Sequence, residues 1–501
     1  MLFNSFNFMI FFPIVVGLYF VIPKRLKQIW LLVASYYFYM NWNAIYALLI
    51  LGITVIGFIA GILIENTYET DRRENTALQK RRRNVYMLIA AILTLGTLFT
   101  FKYLNFAIDN INSFFNMTGY SVAITPVDII LPVGISFYTF QALGYVIDVY
   151  RKEVATERNF IQYALFVSFF PQLVAGPIER SKNLLTQLKK PSEFDYDRVK
   201  RGILLMLWGF FEKMWVGDRL AILVDSVYNN YENYSSGIIV LAMLMFSIEI
   251  YCDFGGYSHI AIGAAQVLGI RLMDNFRQPY LATNIKDFWN RWHISLSTWF
   301  RDYLYFPLGG SRCSKPKAYC NLMITFLVSG LWHGASWHYV IWGGLNGFYQ
   351  VVGRMTKQSR EKVLSLLHIS EDNKVLQVIR IIVTFLLASF AWLFFRAQNM
   401  SVAKGMIRQV LTNCVWVEQF RNGTVFSMGL SRFAVYQLLL SLIILFVVDI
   451  CHERGISFRS KIAEKSVALR WNIYIVTALA FLMLIIQNFG HPASEFIYFQ
   501  F

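Results

Sequence analysis

Ionisable side chains set inside apolar sequence are costly to bury, so they are where chemistry is sought first. The sharpest instance is the run Ser-Gly-Leu-Trp-His-Gly-Ala-Ser-Trp-His at residues 329–338. It lies in an apolar stretch of 33 residues, 319–351. That is long for one crossing of a hydrocarbon core of about 30 Å and short for two crossings with a turn. Two short helices meeting at Gly334 would set His333 within the thickness of a membrane, facing protein or a cavity. Imidazole titrates near neutral pH and can take a proton from a hydroxyl. A hydrogen-bonded structural histidine is the alternative.

His293 lies 40 residues upstream, in Asp-Phe-Trp-Asn-Arg-Trp-His-Ile-Ser-Leu-Ser, 287–297. A second histidine could orient a substrate or the first imidazole, or simply face lipid headgroups. Glu249 and Asp253 are spaced i, i+4 at the end of an apolar helix and share a face. We expect them to pair with an arginine such as Arg277 or Arg301; a proton or ion path is the other option. His338, five residues past His333, would lie roughly 140° further around an unbroken helix and off its face. His259 sits near a helix end, His368 and His452 lie in polar loops, and His491 is near the end of the sequence.

Other chemistries find no support. No phosphate-binding G-x-x-x-x-G-K-[ST] loop, G-x-S-x-G elbow or H-E-x-x-H motif occurs. The five cysteines are scattered, with no C-x-x-C pair, so neither a metal site nor a disulfide framework is expected.

The elements that must hold these residues are helices in a bilayer. The chain has 501 residues, 56% of them hydrophobic and only 15% charged, with a mean hydropathy of +0.46. Its net charge of +16 lies mostly in loops between apolar spans, which suits positive-inside topology rather than nucleic acid. Apolar stretches at 3–22, 29–41, 44–64, 86–104, 129–147, 160–178, 202–216, 237–252, 319–351, 377–395, 433–450 and 472–488 are candidate membrane helices. They predict an all-α integral membrane protein of about 10–12 crossings with re-entrant and interfacial helices. No separate soluble domain, repeat or low-complexity segment interrupts residues 1–501, which read as one membrane domain. The basic clusters after residue 22, at 72–83, 354–362 and 454–465 can all face the cytoplasm if the N-terminus lies outside.

Between Phe288 and Phe306 aromatic residues are dense and mixed with Arg291, His293, Arg301 and Asp302. An amphipathic helix on the membrane surface would look like this. So would the lining of a cavity for a long polar ligand.

Taken together, these residues resemble the membrane-bound O-acyltransferase family, and within it the bacterial alginate O-acetylation branch. The resemblance rests on Trp332-His333-Gly334 in an apolar hairpin and on ordered blocks elsewhere. These are Leu131–Phe140, Phe170–Ile178, Tyr251–Ser258, Phe288–His293, Arg301–Gly310 and Phe496–Phe501. It covers nearly the whole chain. Residues 355–375 and 405–430 match none of its blocks and are read as variable loops.

The resemblance implies a helical fold around a tunnel, with His333 as catalytic base near its middle and His293 as the second family histidine. Trp332, Asn290, Arg291, Arg301, Asp302 and Tyr303 become candidate substrate-binding residues. It implies O-acetylation of an extracytoplasmic polysaccharide from a cytoplasmic donor, acetyl-CoA, with no bound cofactor and no metal. It also implies a periplasmic or surface partner and residence in the bacterial cytoplasmic (inner) membrane. D-alanyl transfer from a carrier protein, and a transporter or flippase without covalent chemistry, are the alternatives. Acyl transfer from a thioester to a hydroxyl needs a base and donors for the oxyanion. His333 can be the base, while Trp332, Ser329 or protonated His293 could donate.

Overall fold

The computed structural model describes every residue except 72–75, 121–122, 175, 489–495 and 498–501. Arg72, Arg73, Ala175, His491 and the last four residues of the Phe496–Phe501 block therefore lie outside the described residues. Among the described residues all regular structure is helical, and the chain is an all-α integral membrane protein. Helices keep every backbone hydrogen bond within the segment, which a bilayer core demands.

Five described helical segments are long and apolar enough to cross a membrane: Ala44–Tyr68, Thr76–Met117, Ser236–Val267, Lys374–Arg396 and Arg432–Glu453. The remaining apolar stretches fold as shorter, broken or paired helices, so apolar stretches and long spans do not correspond one to one. Two compact units are interleaved along the chain. One comprises residues 1–203 and 261–273, the other 204–260 and 274–501.

In the first unit α1 (Phe6–Val21) begins at Ser5, whose hydroxyl accepts the Phe8 N–H at 3.3 Å. α2 (Lys27–Met40), α3 (Ala47–Asp71), α4 (Thr76–Leu98), α5 (Ile135–Tyr150) and α6 (Phe160–Ser168) follow. The apolar stretch 160–178 is not one helix, because Phe169 leaves the helical region before a short turn over Phe170–Leu173. Such a break is tolerated in apolar surroundings only where protein satisfies the freed groups. Here the Ser35 hydroxyl accepts the Phe170 N–H at 3.1 Å, and the Gln141 and Gln172 amides donate to the Phe166 carbonyl at 2.6 and 2.9 Å.

The second unit contains α7 (Asp218–Tyr228), α8 (Ser236–Val267) as far as residue 260, α9 (Ile285–Arg291), α10 (Ile294–Phe300), α11 (Lys315–His333), α12 (Trp337–Met355), α13 (Lys374–Arg396) and α14 (Arg432–Glu453). α11 and α12 are the hairpin expected from the 319–351 stretch. Gly334 and Ser336 are extended, so the helix breaks where the sequence places the turn. Each arm has 19 residues, about 28 Å at 1.5 Å per residue, so both run past the apolar stretch and neither is short. Glycine lets the arms touch backbone to backbone. A Cβ on Gly343 would lie 3.1 Å from the Gly330 Cα, tighter than side chains normally pack. A Cβ on Gly334 would run into the Tyr339 ring.

Three expectations change. Over 288–300 the aromatic stretch is not a surface helix: Phe288 and Trp289 in α9, Trp299 and Phe300 in α10 and Trp292 between them are buried, while Phe306 is exposed. The 355–375 and 405–430 regions are not plain loops, since helices occupy Lys357–Leu366 and Met400–Asn413. Asp253 pairs with Lys213, in a π-helical turn over Phe211–Gly217, and not with Arg277 or Arg301. Lys213 also meets Asp218 at 2.8 Å.

Candidate active site

His333 is the last residue of α11 and only 2% exposed. Its Nδ1 lies 2.6 Å from the carbonyl oxygen of Ser329, one turn earlier. A carbonyl oxygen can only accept, so Nδ1 carries the proton and Nε2 is the basic nitrogen. Aromatic rings surround the imidazole edge-on. Trp332 is 5.0 Å away between ring centres, Trp342 4.7 Å and Phe395 5.6 Å. Trp342 stacks on Trp392 at 5.4 Å, and Trp392 packs on Trp292 at 4.9 Å. The indole N–H groups of Trp292, Trp342 and Trp392 are buried with no hydrogen-bond acceptor among the described residues. Buried donors in native proteins are almost always satisfied, so three in one cluster call for an explanation.

His293 stands 6.4 Å from His333 between ring centres. It is completely buried and precedes α10 with φ 43° and ψ 54°, in the left-handed region. For a residue with a Cβ that conformation costs roughly 1–2 kcal/mol, so the surroundings must hold it. They do so through Asn275. The Asn275 Oδ1 accepts from the Ser295 N–H at 3.3 Å and the Ser295 hydroxyl at 2.9 Å, and lies 3.1 Å from His293 Nδ1. Because a backbone N–H donates to it, that atom is the amide oxygen, and His293 Nδ1 is a donor too. The Asn275 amide nitrogen donates to the Ser258 hydroxyl at 3.1 Å, and its backbone carbonyl accepts the Ile294 N–H at 2.9 Å. Phe254 packs edge-on to the His293 ring at 4.6 Å. Both imidazoles therefore keep their protons on Nδ1 and present Nε2 as a base.

The sequence candidates divide into two groups. His333, His293 and Trp332 come together, with Trp332 6.1 Å from His293. The other five are placed differently. Arg291 is held by Asp287 at 2.9 Å and Glu453 at 2.7 Å. Asn290 is exposed. Arg301 pairs with Asp302 at 2.8 Å, and Tyr303 packs on Trp299 at 4.9 Å. His338 is buried in the first turn of α12 and donates from Nδ1 to the Phe394 carbonyl at 3.0 Å. His259 pairs with Glu212 at 2.5 Å.

Sequence reasoning missed Asn275, Ser295 and Ser258, which fix His293, Trp342 and Phe395, which pack on His333, and Trp392 behind them. Ser295 lies two residues past His293 and could have been weighed as its neighbour. Asn275 lies in a segment without regular structure, and its spacing carries no signal.

Known proteins bear on this arrangement. The probable alginate O-acetylase of Pseudomonas aeruginosa is 37% identical over 417 residues, 83% of this chain and 76% of that protein. The probable alginate O-acetylase of Pseudomonas putida is 33% identical over 508 residues, the full length of both. The peptidoglycan O-acetyltransferase of Helicobacter pylori is 32% identical over 443 residues, 81% of this chain and 80% of that protein. The profile of the MBOAT, membrane-bound O-acyltransferase family matches residues 34–397, from α2 through the end of α13. The chain belongs to that family and is a multi-pass membrane O-acyltransferase.

Proposed function

We propose that this protein takes acetyl groups from acetyl-CoA on the cytoplasmic side of the bacterial inner membrane and passes them on for O-acetylation of an extracytoplasmic polysaccharide. A periplasmic or surface protein completes the transfer. The activities for which the relatives are named support the acetyl group and the glycan. The observation that carries the chemistry is the buried His293–His333 pair at the break of the α11–α12 hairpin, with Nε2 the basic nitrogen of each ring.

In this reading the acceptor oxygen attacks the thioester carbonyl while His333 Nε2 takes the hydroxyl proton. The tetrahedral oxyanion then collapses and expels the thiolate, which recovers the proton from the imidazolium. The products are an acetyl ester and a free thiol, with no net proton gained or lost. Such a base contributes about 10²–10⁴-fold. Trp342, in ring contact with His333 and with no acceptor for its N–H among the described residues, is a candidate oxyanion donor beside Trp332.

O-acetyl content of surface glycans in a deletion strain tests the physiological role. Loss from one polymer supports it, and unchanged acetylation of every glycan contradicts it. Offering purified protein a carrier-bound D-alanyl thioester beside acetyl-CoA separates the D-alanyl alternative. Acetyl-CoA turnover that depends on His333 excludes a transporter without covalent chemistry.

A further inference from the structure

Asp253 and the Phe496-Ile497 segment are not used by the chemistry above, yet they meet on α8 beside Phe254, which packs against His293. On α8, Asp253 stacks one turn below Tyr257 and Phe254 one turn below Ser258, two adjoining rows within about one and a half turns. All four are buried. Phe254 packs edge-on to His293, and Ser258 reaches it through Asn275. The same two rows receive Phe496 and Ile497, which are also buried. The Phe496 ring lies 5.5 Å from Phe254 and 4.7 Å from Tyr257. The Ile497 N–H donates to the second carboxylate oxygen of Asp253 at 2.9 Å, while the first is paired with Lys213.

We infer that Asp253 is a positioning residue. Held by Lys213, it clamps Phe496-Ile497 onto α8, and the Phe496 ring backs Phe254 against His293. Three features make this more than ordinary packing. A buried carboxylate is strongly disfavoured without a paired cation and donors, and this one divides its two oxygens between a lysine and a distant backbone amide. Lys213 keeps Asp218 as a second partner, so the pair with Asp253 is not needed merely to neutralise the lysine. The left-handed backbone of His293 stays in place only while its neighbours over-determine it, and Phe254 is one of them. The segment thereby becomes part of the apparatus that sets the second imidazole.

The functional half rests on the acetyl-transfer reading; the clamp does not. Full-length protein in detergent is compared as parent, Asp253→Ala, Asp253→Asn and Phe496→Ala. Asp253→Ala leaves Lys213 paired with Asp218 and so creates no orphan charge. Asp253→Asn keeps an oxygen that can accept the Ile497 N–H. Hydrogen exchange is followed on the peptide containing residues 496 and 497. Exchange should accelerate about 10-fold or more in Asp253→Ala, as local opening becomes easier, and return towards the parent in Asp253→Asn.

Turnover of acetyl-CoA per folded molecule should fall about 10- to 100-fold in Asp253→Ala and Phe496→Ala. KM for acetyl-CoA should stay within a factor of about two, because loss of alignment lowers kcat without weakening donor binding. Asp253→Asn should recover most of the loss. A peptide as protected in Asp253→Ala as in the parent overturns the clamp. Faster exchange with unchanged kcat overturns its role in positioning. If Asp253→Ala fails to fold, Phe496→Ala, which touches no charge, decides the positioning role by the same two readouts. Parent protein inactive on acetyl-CoA contradicts the proposed donor, while the exchange comparison still decides the clamp.

Discussion

At the scale of single residues, the proposed chemistry depends on which nitrogen of each imidazole is basic, and two oxygen atoms decide that. The Ser329 carbonyl and the Asn275 side-chain oxygen each hold an Nδ1 proton. Replacing Asn275 with leucine removes the acceptor and leaves the Ser295 N–H and the His293 Nδ1 without it. We expect Asn275→Leu and His293→Ala to impair turnover by at least about 10-fold while some acetyl-CoA binding survives, measured by steady-state kinetics and equilibrium binding. Trp342→Phe keeps a ring against His333 but deletes the N–H. If that group stabilises the oxyanion, kcat should drop by about 10²–10³, whereas a packing role would leave kcat within a few-fold.

His338 is the contrast. The angular argument for excluding it assumed a continuous helix, and the break at Gly334 removes that premise. What separates His338 from His333 in role is its hydrogen bond to the Phe394 carbonyl. His338→Ala should therefore cost about 1–3 kcal/mol of stability by orphaning that oxygen, read as a lowered Tm, while activity per folded molecule stays near the parent. His333 stood out in sequence because an ionisable group in an apolar run is costly to bury, and the structure sets it beside His293. Asn275 did not, since nothing in a polar segment marks which amide bridges back to a histidine 18 residues later.

At the scale of elements, the α11–α12 hairpin positions His333, the proposed base. Its turn could be read from length, since 33 apolar residues fit neither one span nor two, and Gly334 offered the break. The close crossing could not be read, because Gly330 and Gly343 meet only once the arms are folded. Gly343→Ala should destabilise the protein by about 1–3 kcal/mol through overpacking, with a matching loss of Tm in detergent. Gly353, on the same helix, has open space where a Cβ would go. Gly353→Ala should be neutral or slightly stabilising, since alanine favours helix over glycine by up to about 1 kcal/mol. Equal effects at both positions would count against the close crossing. The break at Phe169 was hidden for a similar reason. Ser35 and Gln141, which satisfy it, are more than 20 residues away in sequence.

At the scale of the whole molecule, composition alone placed the chain in a bilayer, and the ordered blocks placed it in its family. Counting apolar stretches was less informative about crossings. Hydropathy registers how apolar a segment is, but not whether a helix continues through it, and a buried broken helix such as that at 160–173 is as apolar as a span. Basic residues in short loops predict that 354–362 and 454–465 face the cytoplasm. Single cysteines introduced there should react with a membrane-impermeant maleimide only after the membrane is opened; labelling in intact spheroplasts would reverse the topology. The central claim is acyl transfer by His333, and its most direct test is turnover of radiolabelled acetyl-CoA by purified parent and His333→Ala protein at matched folded amounts. The account predicts release of CoA with transfer or hydrolysis of acetyl by the parent, and a fall of about 10²–10⁴-fold in a variant that remains folded. Near-parent turnover by folded His333→Ala would contradict it.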